Sequence, residues 1–334
     1  MLKDRIESYK LLEDKRKSKL LVYITSDRRG LETQIASDIL LYFANHLDKV
    51  GDTEKISLFL YTRGGSTIAA WSLVNLIRNF CKNFEVIVPF NCHSAGTLIC
   101  LGANTIVMTK QATLGPIDPS TNGLMNPLVD QNNQKIRVPV SVEVVNGYFE
   151  MAKNDLGIKD QQALSNIFLN LSEKIHPLSL GEVYRTKSQI LMLAKKLLAN
   201  HKLTKEKEDK IINFLCSESG SHDYTIYRRE AKEELGLNIE KPNDELYDLI
   251  KKIYQDIENE LQLTNPLDPK ILLANTNSLP YAHRRSLIES INGGCDVFVS
   301  EGTLLKQTIP AGTIQQTVIQ DNRQFEGWKH ENIS

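Results

Sequence analysis

Ser94 is the residue whose type and position point most directly to chemistry. It lies in the segment HSAGT, between the apolar runs FEVIVPF and TLICLGA. A serine at a strand-to-helix turn exposes its hydroxyl and places backbone N–H groups beside it, which can stabilise the oxyanion of a tetrahedral intermediate. The segment does not fit G-x-S-x-G, because Cys92 occupies the first glycine position, and an α/β-hydrolase elbow is therefore disfavoured. The alternative is that Ser94 only caps the following helix.

A second turn, with the sequence RGGS at residues 63–66, ends the preceding apolar run ISLFLYT. Paired glycines let a backbone approach a ligand closely. In a parallel sheet this turn can lie beside the serine turn, so that the N–H groups of Gly65 and Ala95 form an oxyanion hole. The alternative is a tight turn in which Ser66 caps a helix. The phosphate-binding patterns G-x-G-x-x-G and G-x-x-x-x-G-K-[ST] are both absent from the sequence.

The elements that must position these turns alternate between apolar strands and amphipathic helices. Such a series predicts an α/β fold with a mainly parallel sheet flanked by helices. Ligands of such sheets gather beyond the carboxyl ends of the strands, where both turns lie. The predicted strands are Leu20–Thr25, Ile56–Thr62, Phe84–Phe90, Thr105–Thr109 and a short one around Ala112–Ile117.

The rest of the chain predicts additions to this core. Residues 1–18 read as a charged helical appendage, and residues 19–240 as the main domain. Residues 120–140 are polar and irregular, as in a lid or binding loop, and helices follow them. Residues 241–334 form a C-terminal extension packed on the core, with a strongly amphipathic helix over Asp244–Leu261 and strand-like alternation after Gly293.

Composition excludes several classes of protein. The 334 residues include 40 Lys+Arg and 41 Asp+Glu, a formal net charge of -1, which argues against broad nucleic-acid binding. The chain contains no apolar run long enough for a membrane span, and its first residues lack the apolar core of a signal peptide. Five cysteines form no CxxC pair, so we expect neither a metal site nor a disulfide framework. We expect a soluble, cytoplasmic protein without a cofactor.

Several ordered motifs carry a family resemblance. The segments LFLYTRGGS, VIVPFNCHSAGTLICLGA and TLGPIDP resemble the Clp-fold serine peptidases, and most of all the serine dehydrogenase proteinase branch, relatives of signal peptide peptidase A and the Clp proteolytic subunit. The resemblance implies a Clp/crotonase-type fold, a polypeptide substrate and Ser94 as nucleophile, with Gly65 and Ala95 as oxyanion donors. It also implies a helix near residues 181–199 that mediates packing in a homo-oligomer, and it places Asp223 where the Clp triad has its aspartate.

The general base is where the sequence departs from the family pattern. The Clp subunit carries its histidine soon after the nucleophile helix, whereas the corresponding TLGPIDP has none. His176 is preferred because it gives the order Ser94, His176, Asp223. His222 adjoins Asp223, and Lys135 follows Ser94 in a loop where it would need burial to lower its pKa.

Three functions compete at this point. The leading hypothesis is a serine peptidase in which Ser94 attacks a peptide carbonyl. A crotonase-like acyl-CoA enzyme shares the architecture and uses an oxyanion hole for thioester enolates, and an inactive oligomeric scaffold would explain the missing histidine. The sequence identifies no ATPase or activator partner.

Overall fold

The computed structural model divides the chain into two units, which are described separately. The first unit comprises Met1–Leu114 and Ile226–Ser334, and the second comprises Gly115–Thr225. The residues that the structure describes are 1–117, 120–121, 123–131, 134–201, 203–218, 223–311 and 314–331.

The N-terminal part of the first unit follows the predicted alternation. The strand that contains LLVYIT is buried on both faces, as expected for a continuous apolar run inside a parallel sheet. Each helix places its apolar residues at three- and four-residue spacing toward the sheet. The elements are α1 (Leu2–Arg16), β1 (Lys19–Thr25), α2 (Ile39–Val50), β2 (Thr53–Tyr61), α3 (Thr67–Arg78), β3 (Cys81–Val88), β4 (Asn91–Cys92), α4 (Ala95–Leu101), β5 (Thr105–Met108) and β6 (Thr113–Leu114).

The described residues of the second unit form short strands and four α-helices. In the stretch predicted to be irregular, strands β8 (Leu128–Gln131) and β9 (Gln134–Arg137) pair in antiparallel fashion. Helix α6 (Gln161–Lys174) is amphipathic, yet every one of its 14 residues is at least partly exposed. The elements are β7 (Ser120–Thr121), β8 (Leu128–Gln131), β9 (Gln134–Arg137), β10 (Val140–Ser141), α5 (Val142–Glu150), a π-helical turn (Met151–Asp155), α6 (Gln161–Lys174), α7 (Pro177–Leu198), a 3₁₀ turn (Ala199–His201), α8 (Lys205–Asn213) and a second π-helical turn (Phe214–Glu218).

The C-terminal part returns to the first unit. Helix α10 (Asp244–Leu261) buries one face, including Leu249, Ile253 and Ile257, and Asn243 caps it by accepting a hydrogen bond from the N–H of Leu246. The elements are β11 (Ile226–Tyr227), α9 (Arg228–Glu233), β12 (Ile239–Glu240), α10 (Asp244–Leu261), α11 (Pro269–Leu272), β13 (Ser278–Ser290), β14 (Gly294–Ala311) and β15 (Ile314–Glu331).

One eight-stranded sheet organises the first unit, in the order β12-β5-β3-β2-β1-β13-β14-β15. Neighbours from β12 to β1 are parallel, and those from β1 to β15 are antiparallel. The predicted α/β class with helices flanking the sheet is confirmed. Residues 241–334, however, do more than pack on the core: their strands continue its sheet, because β13 pairs directly with the central strand β1.

Helix α1 also belongs to the core, so the division expected at residue 18 is not where the structure divides the chain. Its Leu2, Tyr9 and Leu12 are buried. The guanidinium of Arg5, itself 2% exposed, donates to the buried carboxylate of Glu289 at 2.6 Å and to that of Glu260 at 2.7 Å. Burial raises the pKa of Glu260, but the charge and hydrogen bond of Arg5, together with the charges of Arg284 and the N-terminal ammonium, outweigh burial and hold this pKa below its ordinary value.

Among the helices of the described residues, none combines the length and the apolarity needed to cross a bilayer.

Removal of the Arg5 side chain tests whether α1 is part of the core. We expect Arg5→Ala to lower the free energy of unfolding by about 3 kcal/mol, because it leaves Glu289 buried without its guanidinium. Urea denaturation measures the change. The control is Lys3→Ala, which removes an exposed cation from the same helix and should change stability by less than about 0.5 kcal/mol. An unchanged midpoint for Arg5→Ala would restore the view of α1 as an appendage.

Candidate active site

The two turns singled out in the sequence lie side by side at the carboxyl edge of the sheet. The backbone of Thr62, just after β2, makes two hydrogen bonds of 3.0 Å: its N–H donates to the carbonyl of Asn91, and its carbonyl accepts from the N–H of His93. These bonds form a parallel bridge between Thr62 and Cys92. The glycine turn that follows Thr62 is thereby placed next to the serine turn that follows Cys92.

The side chain of Thr62 fixes the start of the glycine turn. Its buried hydroxyl accepts a hydrogen bond from the hydroxyl of Thr25 at 2.8 Å and another from the N–H of Gly64 at 3.0 Å. A polar group in this position would be costly if it were unpaired, so the two bonds make the threonine compatible with burial. The backbone of the turn is therefore held from inside the sheet.

Both residues of the glycine pair require glycine. Gly64 has a φ of 117° and Gly65 a φ of 141°, a region that L side chains rarely adopt. A Cβ on Gly64 would lie 2.7 Å from the Cβ of Ser94, and a Cβ on Gly65 would lie 2.5 Å from the amide nitrogen of Ile35. The missing side chain at Gly64 thus provides the space in which Ser94 sits.

Ser94 itself has a strained backbone. Its φ of 53° and ψ of -115° are unusual for a residue with a Cβ, and such a conformation costs about 1–3 kcal/mol. It stands at the start of α4, but its hydroxyl makes no capping hydrogen bond to that helix within the described chain. Ser66 on the neighbouring turn does cap its helix, accepting from the N–H of Ala69 at 3.2 Å. Ser94 is partly exposed, and its hydroxyl is therefore available for another purpose.

Among the described residues, the predicted oxyanion donors have no competing acceptor. Within the described part of the chain, the N–H groups of Gly65 and Ala95 donate no hydrogen bond. The next N–H group after each of them, that of Ser66 and that of Gly96, donates to a backbone carbonyl at 2.8 Å. The arrangement thus leaves two backbone donors near Ser94 for an anionic oxygen, and their role in an oxyanion hole remains a prediction.

The side chains of Cys92 and His93, which precede Ser94 in the sequence, already contact other groups. The His93 Nε2 lies 2.8 Å from the hydroxyl of Thr113 on β6. The Cys92 and Cys100 sulfurs lie 3.6 Å apart and are fully buried, and burial raises the pKa of the Cys92 thiol well above its usual value. The thiol is therefore a poor nucleophile, which leaves the Ser94 hydroxyl as the candidate.

His176, Lys135 and Asp223 belong to the second unit, whereas Ser94 belongs to the first. His176 is exposed and caps α7, its Nδ1 accepting from the N–H of Leu178 at 3.2 Å. Lys135 is exposed on β9, and Asp223 is exposed just before β11. His222 lies outside the described residues. The association of any of these groups with Ser94 stays a prediction.

The first unit contains another hydrogen-bonded set of a serine, a histidine and an aspartate, which was not predicted from the sequence. His46 lies between the hydroxyl of Ser290, at 2.7 Å, and the carboxylate of Asp296, at 3.0 Å. All three are at most 4% exposed, so a substrate has no access to this serine. These hydrogen bonds connect helix α2 to the turn between β13 and β14. Spacing along the chain gives no signal for them, because 244 residues separate the serine from the histidine.

Thr62 and Thr25 were also missed, although a signal exists for them. Each is the polar residue that closes an otherwise apolar run, LFLYT or LLVYIT, and Thr62 comes directly before the RGGS turn. Among the described residues, no group of three or more His, Cys, Asp or Glu side chains is arranged to hold a metal ion.

Comparison with known proteins gives one family match. Residues 45–137, which include both turns, match the family model of ClpP-like SDH-type serine proteinases, so the resemblance drawn from the motifs is confirmed over that segment.

Two uncharacterized proteins of Methanocaldococcus jannaschii are similar in sequence. One is 29% identical over 203 residues, which cover 60% of this chain and 59% of the relative. The other is 36% identical over 64 residues, which cover 19% of this chain and 22% of the relative. The chain thus spans less than two thirds of either relative.

Solved structures with a partial likeness include a variant of the 1510-N membrane-bound stomatin-specific protease. Its TM-score is 0.38 and its sequence identity is 16%, and the match covers 73% of this chain and 86% of the protease chain. ClpP1 from Listeria monocytogenes has a TM-score of 0.36 and 14% identity, with coverage of 71% of this chain and 97% of that one.

The contact between Gly64 and Ser94 can be tested by adding one methyl group. We expect Gly64→Ala to lower the free energy of unfolding by at least about 2 kcal/mol, because the new Cβ combines a positive φ with a clash against the Ser94 Cβ. The matched control is Gly51→Ala, where φ is 72° and nothing lies within 4 Å, so that only the backbone strain of about 1 kcal/mol applies. Chemical denaturation compares the two. Equal losses would show that the glycine does not make room for the serine.

Proposed function

We propose that this chain is a serine-type peptidase of the ClpP-like group whose family model its residues 45–137 match, with Ser94 as the nucleophile. The observation that carries the proposal is the backbone of Ser94. A φ of 53° is maintained at a serine whose hydroxyl does not cap its own helix. Strain of this kind, at a partly exposed serine on a strand-to-helix turn, is typical of nucleophiles and has no purpose in a helix cap.

The reaction follows from the groups around this turn. The Ser94 Oγ attacks the carbonyl carbon of a peptide bond while its proton passes to a general base. The carbonyl oxygen becomes an anion and accepts hydrogen bonds from the N–H groups of Gly65 and Ala95, and each such donor is worth about 3–4 kcal/mol in comparable sites. Collapse of the intermediate releases the amine, which takes the proton from the base, and water then hydrolyses the acyl-enzyme.

His176 remains our preferred base, and its hydrogen bond defines what it must do. In a neutral imidazole whose Nδ1 accepts a bond, the proton resides on Nε2, so that Nε2 cannot accept the serine proton. His176 therefore acts as base only after it releases the N–H of Leu178, and Asp223 is then the group proposed to accept from its Nδ1–H. Lys135 and His222 are the alternatives.

We further propose that the substrate is a polypeptide and that the protein forms a homo-oligomer. Helix α6 exposes Phe168 and Leu169 by 50% and 57%, and a second copy of the chain would cover this apolar surface. All five cysteines, each within the described residues, are free thiols, which supports a reducing, cytoplasmic location.

Labelling with a fluorophosphonate probe tests the nucleophile. We expect the parent protein to be labelled and Ser94→Ala to be unlabelled, because the probe forms a covalent bond only with an activated hydroxyl. Ser66→Ala is the control: it removes the serine of the adjacent turn, costs about 1 kcal/mol of helix capping and should leave labelling intact. A parent protein that binds acyl-CoA thioesters and resists the probe would favour the crotonase-like alternative.

The base can be tested without loss of the helix cap. His176→Asn keeps a good capping side chain and removes the imidazole. We expect it to slow acylation of Ser94 by at least about 1000-fold at an unchanged melting temperature, since base-assisted attack is lost. Stopped-flow acylation with an activated ester measures the rate.

Lys135→Met is the comparison variant for this test, and we expect it to retain the parent rate. If His176→Asn acylates normally and Lys135→Met does not, the base is the lysine. If both retain the parent rate, His222 becomes the candidate.

A further inference from the structure

A groove opens beside the candidate active site, at the ends of β2 and β3 in the first unit. It consists of two adjoining cavities of about 220 and 390 Å³, which share Phe90, Tyr254 and Glu258 as lining residues. Arg63 and Asn91 line the larger cavity. Together these volumes are large enough for one long amino-acid side chain and part of its backbone.

The groove is continuous with the turns that hold Ser94. Arg63 is bonded directly to Gly64, whose Cα faces the Ser94 Cβ. Asn91 precedes Ser94 by three residues, and its carbonyl accepts the N–H of Thr62 that pairs the two turns. A polypeptide whose scissile bond lies at Ser94 therefore has a neighbouring residue within reach of the groove.

Aromatic rings form the wall of the groove. The Tyr254 ring centroid lies 5.3 Å from that of Tyr61 and 6.1 Å from that of Phe90, and the planes of Tyr254 and Phe90 differ by 16°. Phe90 is 41% exposed and lines both cavities, so this aromatic side chain is accessible to a ligand. The faces of aromatic rings attract guanidinium and ammonium groups through the negative potential of the ring.

The charges of the groove leave one carboxylate uncompensated. Asp27 accepts hydrogen bonds from the hydroxyl of Tyr61 at 2.7 Å and from Arg63 Nε at 3.0 Å. Glu258 has no Lys, Arg or His nitrogen within 4 Å among the described residues. Burial, followed by the nearby charge of Asp27, raises the pKa of Glu258 above its ordinary value.

Two further cations line the groove without pairing to this carboxylate. Arg29 and Lys251 are both exposed, and solvent screens long exposed side chains strongly. A cation that enters the groove from the substrate would therefore meet a partly buried carboxylate and an aromatic face at the same time.

We propose that this groove is a specificity site that binds the side chain of a lysine or arginine residue in the polypeptide substrate, with Glu258 pairing the charge and Tyr254 and Phe90 contacting the aliphatic stem. The inference rests on the proposed peptidase function. It adds to that function a preference for basic residues close to the scissile bond.

The first test measures cleavage. Fluorogenic peptides that differ only in an arginine or its uncharged isostere citrulline are compared for kcat/KM. We expect the parent protein to cleave the arginine peptide with a kcat/KM about tenfold higher than that of the citrulline peptide. For Glu258→Gln, which removes the charge and keeps the shape of the side chain, we expect the two kcat/KM values to differ by no more than about twofold. Asp248→Asn removes an exposed charge from the same helix, α10, and should keep the tenfold preference. Cleavage of both peptides at one rate by the parent protein would overturn the specificity site while leaving the peptidase intact.

The second test measures binding without cleavage. Fluorescence anisotropy of the same two peptides is recorded with Ser94→Ala and with the Ser94→Ala, Glu258→Gln double variant. If Ser94→Ala binds the arginine peptide more tightly and the double variant does not, the result supports the proposed specificity site. This holds even if the parent protein cleaves neither peptide; that result would contradict the peptidase proposal but not the specificity site. Equal binding of both peptides, or tighter binding of a peptide with glutamate in place of arginine, would contradict the groove.

Discussion

The hydrogen bonds of Thr62 are the interaction on which the candidate site depends. Its backbone N–H and carbonyl join the glycine turn to the serine turn, and its hydroxyl binds Gly64 and Thr25. Without these bonds, the two turns would be held together only by the pairing of β2 with β3, whose last pair is Phe59 with Ile87. Because Thr62 is buried, its bonds do not compete with water, and the position of Gly64 against Ser94 becomes a property of the sheet itself.

The packing of α4 explains how a strained serine is tolerated. All seven residues of this helix are buried, and a Cβ on Gly96 would lie only 2.5 Å from the Thr62 Cγ2. Burial of the leucine and isoleucine side chains in one turn of helix contributes several kcal/mol, which exceeds the cost of about 1–3 kcal/mol for the backbone of Ser94. The helix therefore holds the serine in a conformation that the isolated turn would leave, and it does so without use of the Ser94 hydroxyl.

The two turns and the α/β class were predictable from the sequence because they are encoded locally. An apolar run that ends in RGGS or NCHSAG specifies a strand, a turn and a helix within about 20 residues. The place of the C-terminal strands was not predictable in the same way. Alternation after residue 293 indicates strands, but the pairing of Val22 with Glu289 joins residues more than 260 positions apart, and no local pattern specifies such a partner. The burial of α1 depends on the same distant strand through Arg5 and Glu289, and the candidate bases His176 and Lys135 lie in a different unit from Ser94.

The contrast between Ser94 and Ser290 shows which features distinguish a candidate nucleophile from a structural serine. Ser290 has the more complete set of partners, with His46 and Asp296 in hydrogen-bonded order, and it would satisfy a search based on residue types alone. Its hydroxyl also accepts a hydrogen bond from the N–H of Gly293, so its bonding capacity is already used to close the turn between β13 and β14.

Ser94 has a strained backbone, a hydroxyl that does not cap its helix and two backbone donors nearby, and it is partly exposed at the carboxyl edge of a parallel sheet. Nucleophilic catalysis needs access for the substrate and stabilisation of the developing anion, and a base can be supplied from elsewhere in the chain. Of the two serines, only Ser94 is partly exposed, and only Ser94 lies beside the N–H groups that we propose as oxyanion donors.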